Sequence, residues 1–309
     1  MKKLNGVAMR APVVIFAYKR EKHLKQCINS LEKCIGASET DVIVYSDSNR
    51  GESDFDSVEK VRALLRELRL NSMFRTLSVI EQKENKGLAK SIIEGVSSVI
   101  NQYGKVIVVE DDLVVSEDFL QYMNDGLDYY ADDKRYGEIV AYTFGLKGLK
   151  RYEKDIYVMK KGDCWGWATW KDRWEDVDWE LQDFEDYLHD GLRRRAFSRM
   201  ERGLEEQLIL QKEGKLDAWA ARWIFHLFNK GYLTVYPSEC RVINCGFDET
   251  GEHCSTTSIF DNELYKGHEK CHFEKISENV KFEKETALFG MSFREKTRLR
   301  IYRMFGKQT

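Results

Sequence analysis

Three consecutive carboxylates, Glu110, Asp111 and Asp112, follow the apolar run VIVV at 106–109. Adjacent like charges repel, and burying an unpaired carboxylate is costly. A hard divalent cation such as Mg²⁺ or Mn²⁺ removes that cost, because it takes oxygen ligands, usually one or two carboxylates completed by substrate phosphates. The triplet therefore points to a cation site that carries a diphosphate. The alternative is a solvated acidic loop after an edge strand. Other polar residues stand at comparable places. Arg20 ends the run VVIFAYKR with a planar fork suited to phosphate. Asp47 ends VYSD, and Asn85, Lys86 and Gly87 precede a helical segment, a place suited to anionic groups.

The elements that must position these groups are legible. Four β-branched runs occur at 12–18 (PVVIFAY), 41–47 (DVIVYSD), 76–82 (TLSVIEQ) and 105–111 (KVIVVED). Between them lie three segments of helical periodicity, carried by Leu24, Ile28, Leu31 and Ile35, by Val58, Val61, Leu65 and Leu68, and by Leu88, Ile92, Val96 and Val99. Strands alternating with helices predict an α/β fold, a mostly parallel sheet flanked by helices. Ligands in such folds bind beyond the carboxyl ends of the strands, so Arg20, Asp47 and the triplet share one rim. Further on, a helix is expected at 116–131 with Ser116 as its N-cap, strands at 137–143, 155–160 and 231–236, and helical segments around 181–213 and 217–230. No linker is visible. The reading is one domain, with a regular first half at 1–125, an elaborated second half at 126–285, and a basic amphipathic tail at 286–309.

The 309 residues carry a net charge of −3, which argues against a nucleic-acid partner. Seven cysteines, an odd number with no CxxC pair, read as reduced thiols. Cys240, Cys245 and Cys254 with His253 suggest zinc, but their spacing fits no standard motif. The apolar run after Met1 is broken by Arg10, so no signal peptide is expected, and no segment approaches a membrane span. A cytoplasmic protein is expected, peripheral on the inner membrane face if it meets a membrane at all. The tail FREKTRLRIYRMFGKQT suits an anionic membrane surface or a solvated terminal helix.

Four stretches carry a resemblance: VVIFAYKR (13–20), VYSDSN (44–49), VVEDDLVVSEDFLQYM (108–123) and GDCWGWATWKDRW (162–174). With them the chain resembles GT-A-fold, nucleotide-sugar-dependent glycosyltransferases. These include the N-acetylglucosaminyltransferase I of N-glycan synthesis and bacterial enzymes that build surface polysaccharides. The resemblance spans most of residues 12–260, and it implies a nucleotide-sugar-binding half at 1–125 and an acceptor-binding half at 126–285 of one GT-A domain. It implies that Arg20 and Asp47 hold the nucleotide, with Asp47 near the base. Glu110 and Asp111 then lie near the ribose and donor sugar, and Asp112 contacts the metal. The triplet is EDD where the family motif is of the DxD type. The aromatic loop lines the donor and acceptor pocket in that family, which assigns Trp165 and Trp167 to it. Trp170 and Trp174, four apart, are expected to pack inward from a helix.

An Asp beside a Trp after the aromatic loop serves as the family's general base, and Asp217 in KLDAWAARW matches it. Asp217 as a helix N-cap is the alternative. Ala220 stands where related bacterial sequences carry a second Asp. In the glycine- and acid-rich segment at 244–254, His253 is a candidate metal or diphosphate ligand or a solvated loop histidine. Asp248 is a weaker candidate facing the acceptor. The implied function is metal-dependent inverting transfer, with Mn²⁺ or Mg²⁺, from a nucleotide-diphosphate sugar, UDP-linked. The acceptor would be a hydroxyl of a glycan or lipid-linked glycan in bacterial surface polysaccharide synthesis. A sugar nucleotidyltransferase is the second reading, but AYKREKHL lacks its Gly-rich phosphate loop. A non-catalytic carbohydrate-binding protein of the same fold is the third.

Overall fold

The computed structural model describes residues 3–4, 7–200, 203–217, 219–247 and 262–289. His253, Asp248, Cys254 and the tail from 290 onward lie outside the described residues. A short ribbon, β1 (Lys3–Leu4) with β2 (Val7–Ala8), comes first. The first half then alternates β3 (Val13–Ala17), α1 (Glu21–Glu32), β4 (Asp41–Ser46), α2 (Glu52–Asn71), β5 (Thr76–Glu81), α3 (Leu88–Tyr103) and β6 (Lys105–Glu110). The four strands are parallel neighbours in the order β5-β4-β3-β6. Every residue of β3 is buried, because helices cover both faces of the sheet and a continuous apolar run satisfies both. At the edge, β5 is largely exposed. α1 turns Leu24, Cys27, Ile28 and Leu31 inward but stops at Glu32, so Ile35, which the periodicity placed on the same face, is 42% exposed. α3 ends on Gly104 at φ 82, the left-handed position that closes a helix at little cost to glycine.

The second half elaborates the same sheet. It contains β7 (Leu113–Val115), α4 (Phe119–Tyr129), β8 (Tyr136–Val140), β9 (Ile156–Met159), β10 (Trp167–Trp170), α5 (Lys171–Trp174), α6 (Phe184–His189), α7 (Gly191–Met200), α8 (Leu204–Lys212), α9 (Ala220–Lys230), β11 (Leu233–Pro237), β12 (Val242–Asn244) and α10 (Val280–Thr286). The eight-stranded sheet runs β5-β4-β3-β6-β10-β8-β11-β9. β10 enters antiparallel between β6 and β8 and joins the two halves through one continuous ladder. Beside it, α6 to α9 enclose a second small core of Phe184, Tyr187, Phe197, Leu208 and Phe225.

Two local expectations are corrected. The helix expected from Ser116 begins at Phe119, with Asp118 at the N-cap position. Ahead of it, residues 113–115 are extended as β7 and pair antiparallel with β12, and Ser116 N donates to Arg241 O at 3.0 Å. The partner strand lies over a hundred residues away, so no local pattern announces the pairing. Trp170, expected on a helix, closes β10, and the helix starts at Lys171. Both Trp170 and Trp174 are buried, as expected.

Arg241 enters β12 through an enclosed ion pair. Its Nε donates to Asp118 Oδ2 at 2.8 Å, with side chains only 4% and 5% exposed. The rings of Tyr122 and Tyr265 flank its guanidinium, each centroid 4.5 Å away. Removing one partner of a buried pair strands a desolvated charge. Arg241→Met is expected to lower unfolding stability by about 3–5 kcal/mol, with Arg241→Met/Asp118→Leu recovering part of it. Urea denaturation of both variants checks this, and an equal loss in the two would show that the stranded charge is not the cause.

Candidate active site

β3 lies between β4 and β6, so the connections leave it in opposite directions, and a crevice opens beyond the carboxyl ends of these strands. A cleft of about 560 Å³ occupies it. The strand ends supply Tyr18, Arg20, Asp47 and the triplet, and the loop before α3 supplies Asn85 and Gly87. The far wall comes from the second half: Cys164 and Trp165 before β10, Gln207 and Leu210 of α8, Leu216, Asp217 and Trp219 before α9, and Asn244 of β12.

The triplet forms the floor. Arg20, at the N-cap position of α1, donates through Nη2 to Asp111 Oδ1 and lies with Nη1 3.0 Å from Asp112 Oδ2. Burial pushes the carboxyls of Glu110 and Asp111 up; repulsion from their acidic neighbours adds to this, and the Arg20 guanidinium opposes it. One guanidinium thus faces three acids. Asp112 Oδ1 is buried with no hydrogen-bond partner. A buried acceptor in that condition carries its full desolvation cost. Gly246, just past β12, lies over this group. A Cβ there would press into Asp112 Oδ2 and come within 3.0 Å of Arg20 Nη1. The main chain enforces the approach, since Cys245 N donates to Asp112 O at 2.8 Å.

Among the described residues, no group of three or more His, Cys, Asp or Glu side chains is arranged to hold a metal ion. The residues present still fit a Mg²⁺- or Mn²⁺-type site, in which one or two carboxylates suffice and phosphates complete the shell. The orphaned Asp112 Oδ1 at the cleft floor is an unused ligand of that kind. Of the zinc candidates, Cys240 is buried with its Sγ donating to Val242 O at 3.0 Å, and His253 and Cys254 lie outside the described residues.

Asp47 and the loop before α3 behave differently from the expectation. Asp47 is buried and accepts from Ser48 N at 2.9 Å, Lys86 N at 3.0 Å and Gly87 N at 3.1 Å. The N–H groups expected to receive a phosphate are thus already taken by the protein's own carboxylate. The Lys86 side chain does not line the cleft, and its Nζ pairs with Glu94 Oε2 at 2.6 Å along α3. Gly87 does line it, at φ 74, and a Cβ there would stand 2.8 Å from Asp217 Oδ2. That close approach brings Asp217 against the loop before α3. Asp217 is exposed, and α9 has Trp219 at its N-cap position with no side-chain cap bond, so Asp217 does not cap that helix.

The two tryptophans of the aromatic loop separate. Trp165 lines the cleft, with its ring edge-on to Tyr142 at 4.7 Å. Trp167 is fully buried and does not reach the cleft. It stacks on Trp219 at 5.2 Å and Trp174 at 5.6 Å, and its indole is core. Gly166 at φ 60 turns the chain between them, which is why adjacent positions face such different surroundings. Sequence reasoning missed Asn244, Gly246, Gln207 and the Tyr45 ring, which lines the cleft stacked on Phe16 at 5.5 Å. Tyr45 sits two residues before Asp47, one period of strand alternation, so the sequence places both side chains toward the same side. Asn244 and Gly246 lie in the 244–254 segment singled out above, but only the β7–β12 pairing brings them to the triplet.

Residues 13–168, just over half of the chain, match the profile of the family described as Glycosyl transferase family 2. Among solved structures, the chain is similar to the crystal structure of S. aureus TarS, with TM-score 0.38 and 13% identity, covering 66% of this chain and 43% of that chain. The chain thus spans less than half the length of that protein. No curated protein matches it.

Gly246→Ala tests the packing over Asp112. The added methyl must displace the Asp112 carboxylate, so nucleotide affinity in the presence of Mn²⁺ is expected to fall about tenfold or more, roughly 1.4 kcal/mol. Calorimetric titration reads this. Wild-type affinity in a folded Gly246→Ala would show that the carboxylate moves aside freely.

Proposed function

The chain belongs to glycosyl transferase family 2 and is a glycosyltransferase of GT-A fold, and from that premise we propose that the cleft transfers a sugar, with inversion, from a UDP-sugar to an acceptor hydroxyl with the help of a divalent cation. The observation that carries this reading is Asp112 Oδ1, buried and unpartnered beside Arg20 at the floor of the cleft. Asp112 would hold Mn²⁺ or Mg²⁺ together with donor phosphate oxygens. Bound there, the cation would supply charge stabilisation for the departing diphosphate.

The chain's own groups take the remaining tasks. Arg20 holds Asp111 and Asp112 in place and adds positive charge next to the diphosphate position. Glu110 and Asp111 face the ribose and donor sugar. Asp47 fixes the loop before α3 and so shapes the nucleotide end without offering its own oxygens freely. Trp165 presents an aromatic wall to the sugar. Asp217, on the opposite side, takes the proton from the acceptor hydroxyl as that oxygen attacks the anomeric carbon. The carbon–oxygen bond to the diphosphate breaks as the new glycosidic bond forms. Attack from the face opposite the leaving group inverts the anomeric centre.

The acceptor in this reading is a glycan or lipid-linked glycan of bacterial surface polysaccharide synthesis, as the motif resemblance implies. Among the described residues no helix is long and apolar enough to cross a membrane. A membrane-surface role for the tail, and a ligand role for His253, concern residues outside the described ones.

Titration of UDP and GDP, with and without Mn²⁺, into wild type and Asp112→Asn tests the cation site. The expected outcome is UDP binding that requires Mn²⁺ and is lost in the variant. Cation-independent UDP binding would remove the metal from the mechanism. Asp217→Asn is expected to lower kcat by about 10²–10⁴-fold while UDP affinity stays unchanged. An Asp217→Asn enzyme with wild-type kcat would transfer the base role elsewhere.

A further inference from the structure

Glu138 lies in the middle of β8, between β10 and β11, and is completely buried. Three donors from three separate elements converge on its two oxygens. Trp223 Nε1 of α9 donates to Oε1 at 2.6 Å. Asp163 N donates to Oε2 at 3.1 Å, and Thr234 Oγ1 of β11 donates to the same oxygen at 3.3 Å. Burial pushes its carboxyl up to about 8, and the charge of Asp163 adds to this, against the pull of the donors. An apolar residue would pack at this place without that cost, but it would leave Asp163 N–H and the Trp223 indole N–H unpaired in the core.

What these donors belong to gives the carboxyl its use. Asp163 Oδ1 in turn accepts from Cys164 N at 2.8 Å and Trp165 N at 3.1 Å, which shapes the loop that lines the cleft. Gly162 opens that loop against α9. A Cβ on Gly162 would lie 2.6 Å from Leu227 Cδ1 and 3.1 Å from Glu138 Oε2, so the loop rests directly on the helix and on the carboxyl. Trp223 lies one turn into α9, past Trp219, and both rings pack on Trp167. Asp217 immediately precedes this helix. One side chain therefore ties the loop bearing Trp165 to the helix that follows Asp217.

We propose that Glu138 is a positioning residue for sugar transfer: it holds the 162–165 loop and the start of α9 at one fixed spacing within the far wall of the cleft. This rests on the reading of the cleft as the transfer site. A glutamine cannot replace it, because its amide NH₂ would face a donor where the carboxyl accepts.

The test uses the full chain with E138Q, W223F and the double variant. Two readouts are taken: the rate of Cys164 alkylation by iodoacetamide, mapped by peptide mass spectrometry, and kcat and KM for consumption of a UDP-sugar. Cys164 is partly exposed and lines the cleft, so it reports the loop without any catalysis. E138Q is expected to speed Cys164 alkylation about threefold or more and to lower kcat about tenfold with KM within about twofold. W223F should act in the same direction, and the double variant should do no more than the worse single, because both act on one contact. Unchanged alkylation in folded single variants, effects that add, or faster alkylation with wild-type kcat would each overturn the proposal. If E138Q does not fold, W223F decides by the same two readouts. A wild-type chain that consumes no nucleotide sugar would sink the transferase reading alone, while the alkylation rates would still decide whether Glu138 holds the loop.

Discussion

The Arg20 guanidinium set against Asp111 and Asp112 is the interaction around which the cleft is arranged. It exists because β3 and β6 are parallel neighbours with Phe16 opposite Glu110, so the first residues beyond each strand emerge side by side. The three acids end β6 together, and one guanidinium does not balance them. Partial compensation leaves carboxyls pushed up by burial and mutual repulsion, and one oxygen of Asp112 with no partner. The protein's own groups therefore leave this floor incompletely satisfied.

The rest of the molecule holds that floor and closes a wall over it. The ribbon of β7 and β12 lays Gly246 directly on Asp112, and the buried Arg241–Asp118 pair anchors its entry. β10 threads antiparallel into the sheet beside β6, so the loop carrying Trp165 comes from a strand hydrogen-bonded to the one that ends in the triplet. Trp167, Trp174, Trp219 and Trp223 form a packed aromatic block behind that loop. Trp219 carries that block to the cleft wall beside Asp217, while Trp167, Trp174 and Trp223 stay buried behind it. The family resemblance of the aromatic stretch thus has two physical sources: one tryptophan that faces the cleft and several that build its backing.

The first half was readable almost element by element. Its strands are buried on both faces and so appear as unbroken β-branched runs, and its helices bury one stripe each. The clustering of Arg20, Asp47, Gly87 and the triplet followed from the rule that parallel strands present their carboxyl ends to one rim. What those side chains do once there was less legible. Lys86 found Glu94, and Asp47 found the backbone of the loop that was expected to bind phosphate. Local sequence names the groups available but does not say which of them satisfy each other.

By itself, then, the sequence determined the α/β alternation, the parallel sheet and the acidic floor at its rim, because these depend on periodicity and chain order within about a hundred residues. Only the tertiary structure decided which acid keeps an unpartnered oxygen, which tryptophan reaches the cleft, and that Asp217 meets Gly87 across it. Those outcomes depend on pairings such as β7 with β12 and β10 with β6, and on the competition among polar groups that the pairings bring together. Contacts of that range leave no periodic trace in the chain, since each partner is an ordinary strand or loop until the fold places the other beside it.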